Sequence, residues 1–171
     1  MSNLHFGVTV PQIKRPWVAA DKAARAFESQ GFDSVWVCDH LYGPQSPQLP
    51  ILEAWTMIAA LAAITERVEL GTLVTPTGMR NPAHLGKMIA SVDNIAGGRV
   101  IAGLGGGWMP REFTDFKFGV SIFSLFAISI IDPIIGSISK GFPAFKSCVV
   151  DGLCPVSYTH LRAHETRLDL V

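Results

Sequence analysis

The segment GFDSVWVCDH at residues 31–40 decides how this chain folds, because it passes from a helix stop through an apolar strand to two ionisable side chains. Gly31 follows a helical pattern and suits the left-handed conformation that ends a helix. Residues 35–37 form the continuous apolar run expected of a strand that is covered on both faces. Asp39 and His40 then stand at the carboxyl end of that strand. Ligands of parallel α/β folds bind at this end, so the sequence predicts a functional site there.

Strand and helix patterns alternate on both sides of this segment. Asn81 and Pro82 begin one helix as its N-cap and first residue, and Gly97 and Gly98 end it. The predicted strands cover residues 4–10, 34–38, 67–74 and 99–104, and the other predicted helices cover 17–30 and 52–64, with a further helix expected at Pro110. This alternation predicts a parallel sheet with right-handed crossovers. A closed barrel and an open doubly wound sheet both satisfy the pattern.

Composition narrows the expected partners to small molecules. The 171 residues include 49% hydrophobic residues, enough to bury a core, and 14 basic residues balance 14 acidic ones. Because the formal net charge is zero, we expect neither nucleic acid nor an anionic membrane as a partner. The three cysteines form no C-x-x-C pair, and residues 1–10 lack the basic start and apolar stretch of a secretion signal. We therefore expect a cytoplasmic protein without a disulfide framework.

The last third departs from this pattern, which divides the chain into an N-terminal α/β part at residues 1–118 and an out-of-pattern tail at 119–171. The uncharged run of the tail is broken by Asp132 after about a dozen residues, short of the roughly 20 that cross a membrane. Residues 155–171 resemble a translated sequencing adapter, which indicates a frameshift or an assembly artefact. His160 and His164 are spaced for a metal ion, but the H-E-x-x-H order is absent. We predict no metal site.

His40 is the leading candidate for chemistry, and two interpretations of it stay open. Its pKa range suits a general acid or base, or a donor to a bound cofactor, and Asp39 beside it could orient the ring. The alternative is a loop histidine that makes a structural hydrogen bond.

Two further motifs end predicted strands. The run GLGGGW at residues 103–108 exposes backbone N–H groups and could cradle phosphate, although it does not fit G-x-G-x-x-G. A tight turn without a ligand is the alternative. The run GTLVTPT at residues 71–77 places three threonine hydroxyls where they could bind a ring or a sugar-like chain. The alternative is a turn that uses threonine and proline for its geometry.

Four segments together resemble the luciferase-like monooxygenase superfamily, and most closely its coenzyme F420-dependent oxidoreductases. They are GFDSVWVCDHL, LEAWTMIAALAAITERVELGTLVT, RNPAHLGKMIASVD and GGRVIAGLGGGW, in unbroken order within about residues 4–119. That family folds as a (β/α)8 TIM barrel. The resemblance therefore implies a barrel rather than an open sheet.

The resemblance also implies where a cofactor would lie. His40 falls where the family places a residue close to the deazaflavin ring, with Asp39 as its neighbour. A bulge with a non-proline cis peptide bond, which backs the ring in the family, maps to Leu73-Val74. The full set implied to bind cofactor is Thr72, Leu73, Val74, Thr75, Gly105, Gly106, Gly107 and Trp108.

The implied chemistry is hydride transfer between coenzyme F420 and a small organic substrate, with His40 giving or taking the accompanying proton. FMN is the alternative cofactor, as in a flavin-dependent monooxygenase of the same superfamily. A barrel needs about 250 residues, and the pattern here stops after four strands. We therefore expect the N-terminal half of a TIM barrel, inactive alone, with two unpaired strand edges. The full-length parent is expected to be a homodimer. Two further alternatives are a half-barrel that dimerises without catalysis and an open-sheet nucleotide-binding protein that uses the glycine loop, against which the missing first-turn glycine motif counts.

Overall fold

The computed structural model describes residues 4–43, 48–118 and 146–150. Strands and helices alternate along the chain, as the sequence predicts. The elements are β1 (Gly7–Thr9), α1 (Trp17–Ser29), β2 (Ser34–Val37), α2 (Ala54–Ile64), β3 (Glu69–Thr72), β4 (Thr75–Pro76), a 3₁₀ turn (Thr77–Met79), α3 (Pro82–Ala96), β5 (Val100–Gly105), α4 (Pro110–Asp115) and β6 (Lys146–Val150). The predicted helix start is confirmed, since the Asn81 side chain accepts hydrogen bonds from the amides of Ala83 and His84.

The strands form one sheet in which every pairing is parallel. β1 pairs with β2, β2 with β3, β3 with β5, and β5 with β6. Helices α1, α2 and α3 provide the crossovers, so the predicted α/β class is confirmed.

Strands β3 and β4 are two parts of one strand that is interrupted by a bulge. Gly71 aligns with Ile101 of β5, and Thr75 aligns with Leu104. The β3–β4 side therefore holds one more residue than β5 between these pairs, which is the signature of a β-bulge. The peptide bond between Leu73 and Val74 within this bulge is cis. Both features lie where the family resemblance implies them.

The core lies between the sheet and the helices. Val35 and Val37 are buried in this layer together with apolar residues of α2 and α3. Trp36 lies on the opposite face, where its indole covers two glycines so closely that a Cβ on Gly7 or Gly71 would come within 2.4 or 2.3 Å of it. Trp36 itself is only half-buried. The sequence predicts that both faces of β2 are covered. Within the described residues, the face that carries Trp36 is covered only in part.

Two long side chains stabilise the amino-terminal side of the sheet. Arg99 donates hydrogen bonds to four carbonyl oxygens and one hydroxyl, which include the oxygens of Ala62 and Val68. The Glu28 carboxylate accepts from three consecutive backbone N–H groups at residues 66–68. These bonds satisfy loop and helix-end groups that would otherwise lack partners.

The tail contributes one described element. Residues Lys146–Val150 form β6 against β5 along five aligned residues. The expectation of two unpaired strand edges is therefore corrected at β5, whose edge is paired by β6. The division of the chain at residue 118 stays a prediction. The histidines at 160 and 164, and the adapter-like segment, lie outside the described residues. No helix in the described part of the chain is long and apolar enough to cross a membrane.

Candidate active site

His40 is held in place by a carboxylate that the sequence did not reveal. It follows β2 at the carboxyl edge of the sheet, and its Nδ1 lies 2.9 Å from Oε2 of Glu112 in α4. The other oxygen, Oε1, accepts hydrogen bonds from the backbone N–H groups of Leu41 and Tyr42. Glu112 is fully buried, and only 12% of the His40 side chain is exposed. One carboxylate therefore fixes both the histidine ring and the loop that carries it.

Asp39 points away from this pair and binds an arginine. Its two oxygens accept from Nη1 and Nη2 of Arg80 at 2.7 and 2.9 Å, and Nη2 also reaches Oε1 of Glu53 at 2.7 Å. Burial raises the pKa of the Asp39 carboxyl, although Arg80 acts against the rise. Burial acts to lower the pKa of Arg80, but the two carboxylates outweigh it and raise that pKa. The expectation that Asp39 orients His40 is therefore corrected, because Glu112 does so.

The bulge presents an apolar surface at the same edge. The Leu73 N–H donates to the carbonyl of Val37 at 2.8 Å, which ties the bulge to the end of β2. Leu73 remains 51% exposed. Val74 is half-buried beside it. The cis bond thus lies next to the strand that leads to His40.

The threonines of this segment form hydrogen bonds with neighbouring parts of the fold. Thr72 donates its hydroxyl to the carbonyl of Gly103, and Thr75 accepts from the indole N–H of Trp55 at 3.0 Å. Thr77 donates to the carbonyl of Gly105. All three threonines are buried. Their hydroxyls therefore bind protein groups and do not stand free at the mouth as the sequence suggested.

The glycine run turns the chain from β5 towards Trp108. Gly105 ends the strand, and Gly107 has a φ of +83°, where an added Cβ would also lie 2.7 Å from the Phe113 ring. Gly106 is exposed, and nothing lies within 4 Å of an added Cβ there. The Trp108 ring is half-exposed and meets His40 edge to face, with centroids 5.5 Å apart. This geometry supports the tight-turn interpretation of Gly107 and leaves Gly106 open to a ligand.

Four side chains of this site were missed by sequence reasoning. Glu112 lies in a short helix whose start at Pro110 was expected but whose carboxylate gave no signal. Arg80 and Glu53 precede helices, where charged residues are common. The buried Gln12 amide bonds both the N–H and the carbonyl of Cys38. Arg80 and Glu53 both lie in quoted segments, RNPAHLGKMIASVD and LEAWTMIAALAAITERVELGTLVT, so these motifs could have drawn attention to them.

No group of three histidine, cysteine, aspartate or glutamate side chains is arranged for a metal ion within residues 4–43, 48–118 and 146–150.

A family model described as luciferase-like monooxygenase matches residues 4–122. Among curated proteins, the chain is 42% identical over 105 residues to an F420-dependent glucose-6-phosphate dehydrogenase of Amycolatopsis mediterranei, which covers 56% of this chain and 31% of the relative. The chain spans less than half the length of the curated relatives it matches.

Solved structures agree on the fold. An F420-dependent secondary alcohol dehydrogenase in complex with an F420-acetone adduct superposes with a TM-score of 0.66 at 25% identity, which covers 77% of this chain and 42% of that one. An FMN complex of a type II Baeyer-Villiger monooxygenase from Pseudomonas putida gives 0.59 at 20% identity, which covers 81% of this chain and 39% of that one, and shows the fold alone. These neighbours are TIM barrels, of which this chain covers a part. The family match over residues 4–122 establishes that the chain belongs to the luciferase-like monooxygenase family.

Proposed function

We propose that this chain carries the His40 side of the active site of an F420-dependent oxidoreductase. The enzyme would transfer a hydride between the deazaflavin and a small organic substrate. One observation carries the proposal. A histidine fixed by the buried Glu112 stands at the carboxyl edge of the sheet with exposed apolar groups, Leu73 and Trp108, at the same edge.

The residues at this edge fit a flat conjugated ring. Leu73 and Trp108 expose apolar surface that such a ring would remove from water, and burial of that surface favours binding. The open space at Gly106 admits a ligand close to the backbone. The bound cofactor would supply the hydride chemistry, and the protein would supply position and proton handling.

His40 is suited to handle the proton. A carboxylate acceptor favours the tautomer with a proton on Nδ1, as in many catalytic histidines that are oriented by an acidic residue. Nε2 is then the nitrogen that accepts or returns a proton. Glu112 also offsets the charge of the imidazolium that forms when Nε2 is protonated. Asp39 has a different role, as an anchor for Arg80.

The sequence relatives favour F420 over FMN. The relative at 42% identity is F420-dependent by name, whereas the FMN-bound neighbour shares 20% identity. FMN remains the second candidate, because the FMN-bound neighbour has the same fold. We also propose that the chain alone does not turn over, since its matches cover only 45% and 31% of the length of two relatives. The whole enzyme would act in the cytoplasm as a homodimer.

Equilibrium titration of the purified 171-residue chain with each cofactor tests the assignment. We expect F420 to quench tryptophan fluorescence with a dissociation constant at least about ten-fold lower than that of FMN. His40→Ala should keep F420 binding within a few fold, because the histidine acts on the proton. Binding of FMN in preference to F420, or of neither at millimolar concentration, would contradict the proposal. If the chain alone transferred a hydride, only the proposal that it is inactive would be contradicted.

A further inference from the structure

We propose that Arg80 is a positioning residue that holds the Leu73-Val74 bulge and the His40 loop in their places relative to the cofactor. This inference rests on the proposed function, because it assigns a purpose to a group beside the same site. Arg80 donates hydrogen bonds to Asp39 and Glu53. It acts through Asp39 and Glu53.

The first step is the bidentate ion pair between Arg80 and Asp39. The two guanidinium nitrogens meet the two carboxylate oxygens at 2.7 and 2.9 Å, and Asp39 is 1% exposed. A buried carboxylate that loses its arginine partner must neutralise or move. Asp39 is the covalent neighbour of His40, so its movement would carry the His40 backbone with it.

The second step leads from Arg80 to the far side of the bulge. Nη2 of Arg80 binds Oε1 of Glu53, and the Glu53 carboxylate accepts from the N–H groups of Trp55 and Thr56 at the start of α2. The indole of Trp55 then donates to the hydroxyl of Thr75. Thr75 directly follows Val74, the second residue of the cis peptide.

The third step is that the bulge is held at both ends. On one side the Leu73 N–H binds the Val37 carbonyl, two residues before Asp39. On the other side Thr75 is held through Trp55. Arg80 forms ion pairs with both Asp39 and Glu53. The Asp39 carboxylate also accepts a side-chain hydrogen bond from Thr75, so Arg80 holds a group that binds the second anchor directly. A planar guanidinium can bind two carboxylates in this way, whereas a lysine ammonium lacks the fork.

Three variants of the full chain test this inference. We expect Arg80→Lys to raise the F420 dissociation constant about ten-fold and Arg80→Ala to raise it further. Ethylguanidinium at millimolar concentration should restore part of the affinity of Arg80→Ala, since it refills the vacated fork. If Arg80→Ala had lost affinity only through a general loss of stability, ethylguanidinium would not restore that affinity. Arg111→Ala, which removes the exposed pair with Asp115, is the matched control and should leave affinity and rescue unchanged.

Hydrogen exchange provides a second measurement that needs no cofactor. The Leu73 amide should exchange at least about ten-fold faster in Arg80→Ala and slow again with ethylguanidinium, while the Val100 amide, which is bonded to Asp93, should not change. Unchanged Leu73 exchange would overturn the inference even if neither cofactor binds. If the unmodified chain binds F420 and Arg80→Ala binds it equally well, the inference fails and the proposed function stands. If Leu73 exchange changes as expected but F420 does not bind, only the proposed function fails.

Discussion

Oε2 of Glu112 lies 2.9 Å from Nδ1 of His40, although 72 positions separate the two residues. The contact joins the end of β2 to α4 across the carboxyl edge of the sheet. It also buries a carboxylate whose remaining oxygen is used by two backbone N–H groups. Glu112 is therefore both an orienting group for the histidine and a structural part of the loop.

Removal of this carboxylate should destabilise the protein. Glu112→Ala leaves a buried ring nitrogen and two backbone donors without an acceptor, so we expect the free energy of unfolding to fall by about 3 kcal/mol. Glu112→Gln retains one carbonyl acceptor and should lose less. Urea denaturation monitored by circular dichroism measures both changes. Asp115→Ala, on the exposed side of the same helix, should leave the denaturation midpoint where it is, and equal losses at both positions would contradict this role of Glu112.

Two neighbouring glycines should respond differently to alanine. A Cβ on Gly103 would stand 2.0 Å from the carbonyl oxygen of Thr72, so Gly103→Ala must displace the bulge, at a cost of about 3 kcal/mol. Gly106→Ala meets no atom within 4 Å and should be neutral or slightly stabilising. Thermal and urea unfolding of the pair provide the comparison. A stable Gly103→Ala protein would show that the bulge packs differently against β5.

Gly106→Ala has a separate expected effect on binding. If a cofactor approaches the backbone at this turn, the new methyl group should raise the F420 dissociation constant about ten-fold while stability is retained. Fluorescence titration measures the change. Unaltered affinity would place the cofactor away from Gly106.

The exposed side chain of Leu73 should contribute to binding and little to stability. Leu73→Asn removes apolar surface that a bound ring would cover, so we expect about ten-fold weaker F420 binding. Ile95→Asn is the matched control, because Ile95 is 55% exposed on α3, compared with 51% for Leu73. Titration and thermal unfolding of both variants separate the two effects. Equal affinities in the two variants would count against a ring stacked on the bulge.

Stability should fall in acid through Glu28. Burial alone would raise the pKa of this carboxyl, but the N–H groups of residues 66–68, with the charge of Arg99, lower it below its ordinary value of 4.5. A lowered folded-state pKa contributes stability above pH 4.5, which is lost as pH falls through the folded-state pKa. Denaturation midpoints between pH 6 and 3 should therefore fall less steeply in Glu28→Gln than in the unmodified chain. Glu66→Gln, at a neighbouring exposed residue, is the control, and parallel curves for all three proteins would contradict the assignment.

Local patterns in the sequence were sufficient to predict the strands and helices of the first 118 residues. The boundaries of α3, for example, depend on nearby groups, with Asn81 at its start and Gly97, with a φ of +66°, at its end. The bulge at Leu73-Val74 was different. Its position came from family resemblance, because no local pattern requires a cis peptide bond between leucine and valine.

The partners of Asp39 and His40 could not be found in this way. Adjacent residues in an extended segment point in opposite directions, so Asp39 and His40 reach different parts of the fold. Their partners, Arg80 and Glu112, lie 41 and 72 positions away. Such pairings depend on how the loops after different strands meet in space. The pairing of β6 with β5 was missed for a similar reason. The pairing depends on β5 as the partner strand and could not be predicted from the composition of β6.

The polar bonds of Arg99 and Glu28 lie at one edge of the sheet, and His40 lies at the other. One edge of the sheet therefore carries supporting polar bonds, and the other carries the candidate site. Substitutions at exposed residues of the His40 edge, such as Leu73 and Gly106, leave the bonds of Arg99 and Glu28 in place, so proteins that share this scaffold can differ in the molecules they bind while they keep the same support.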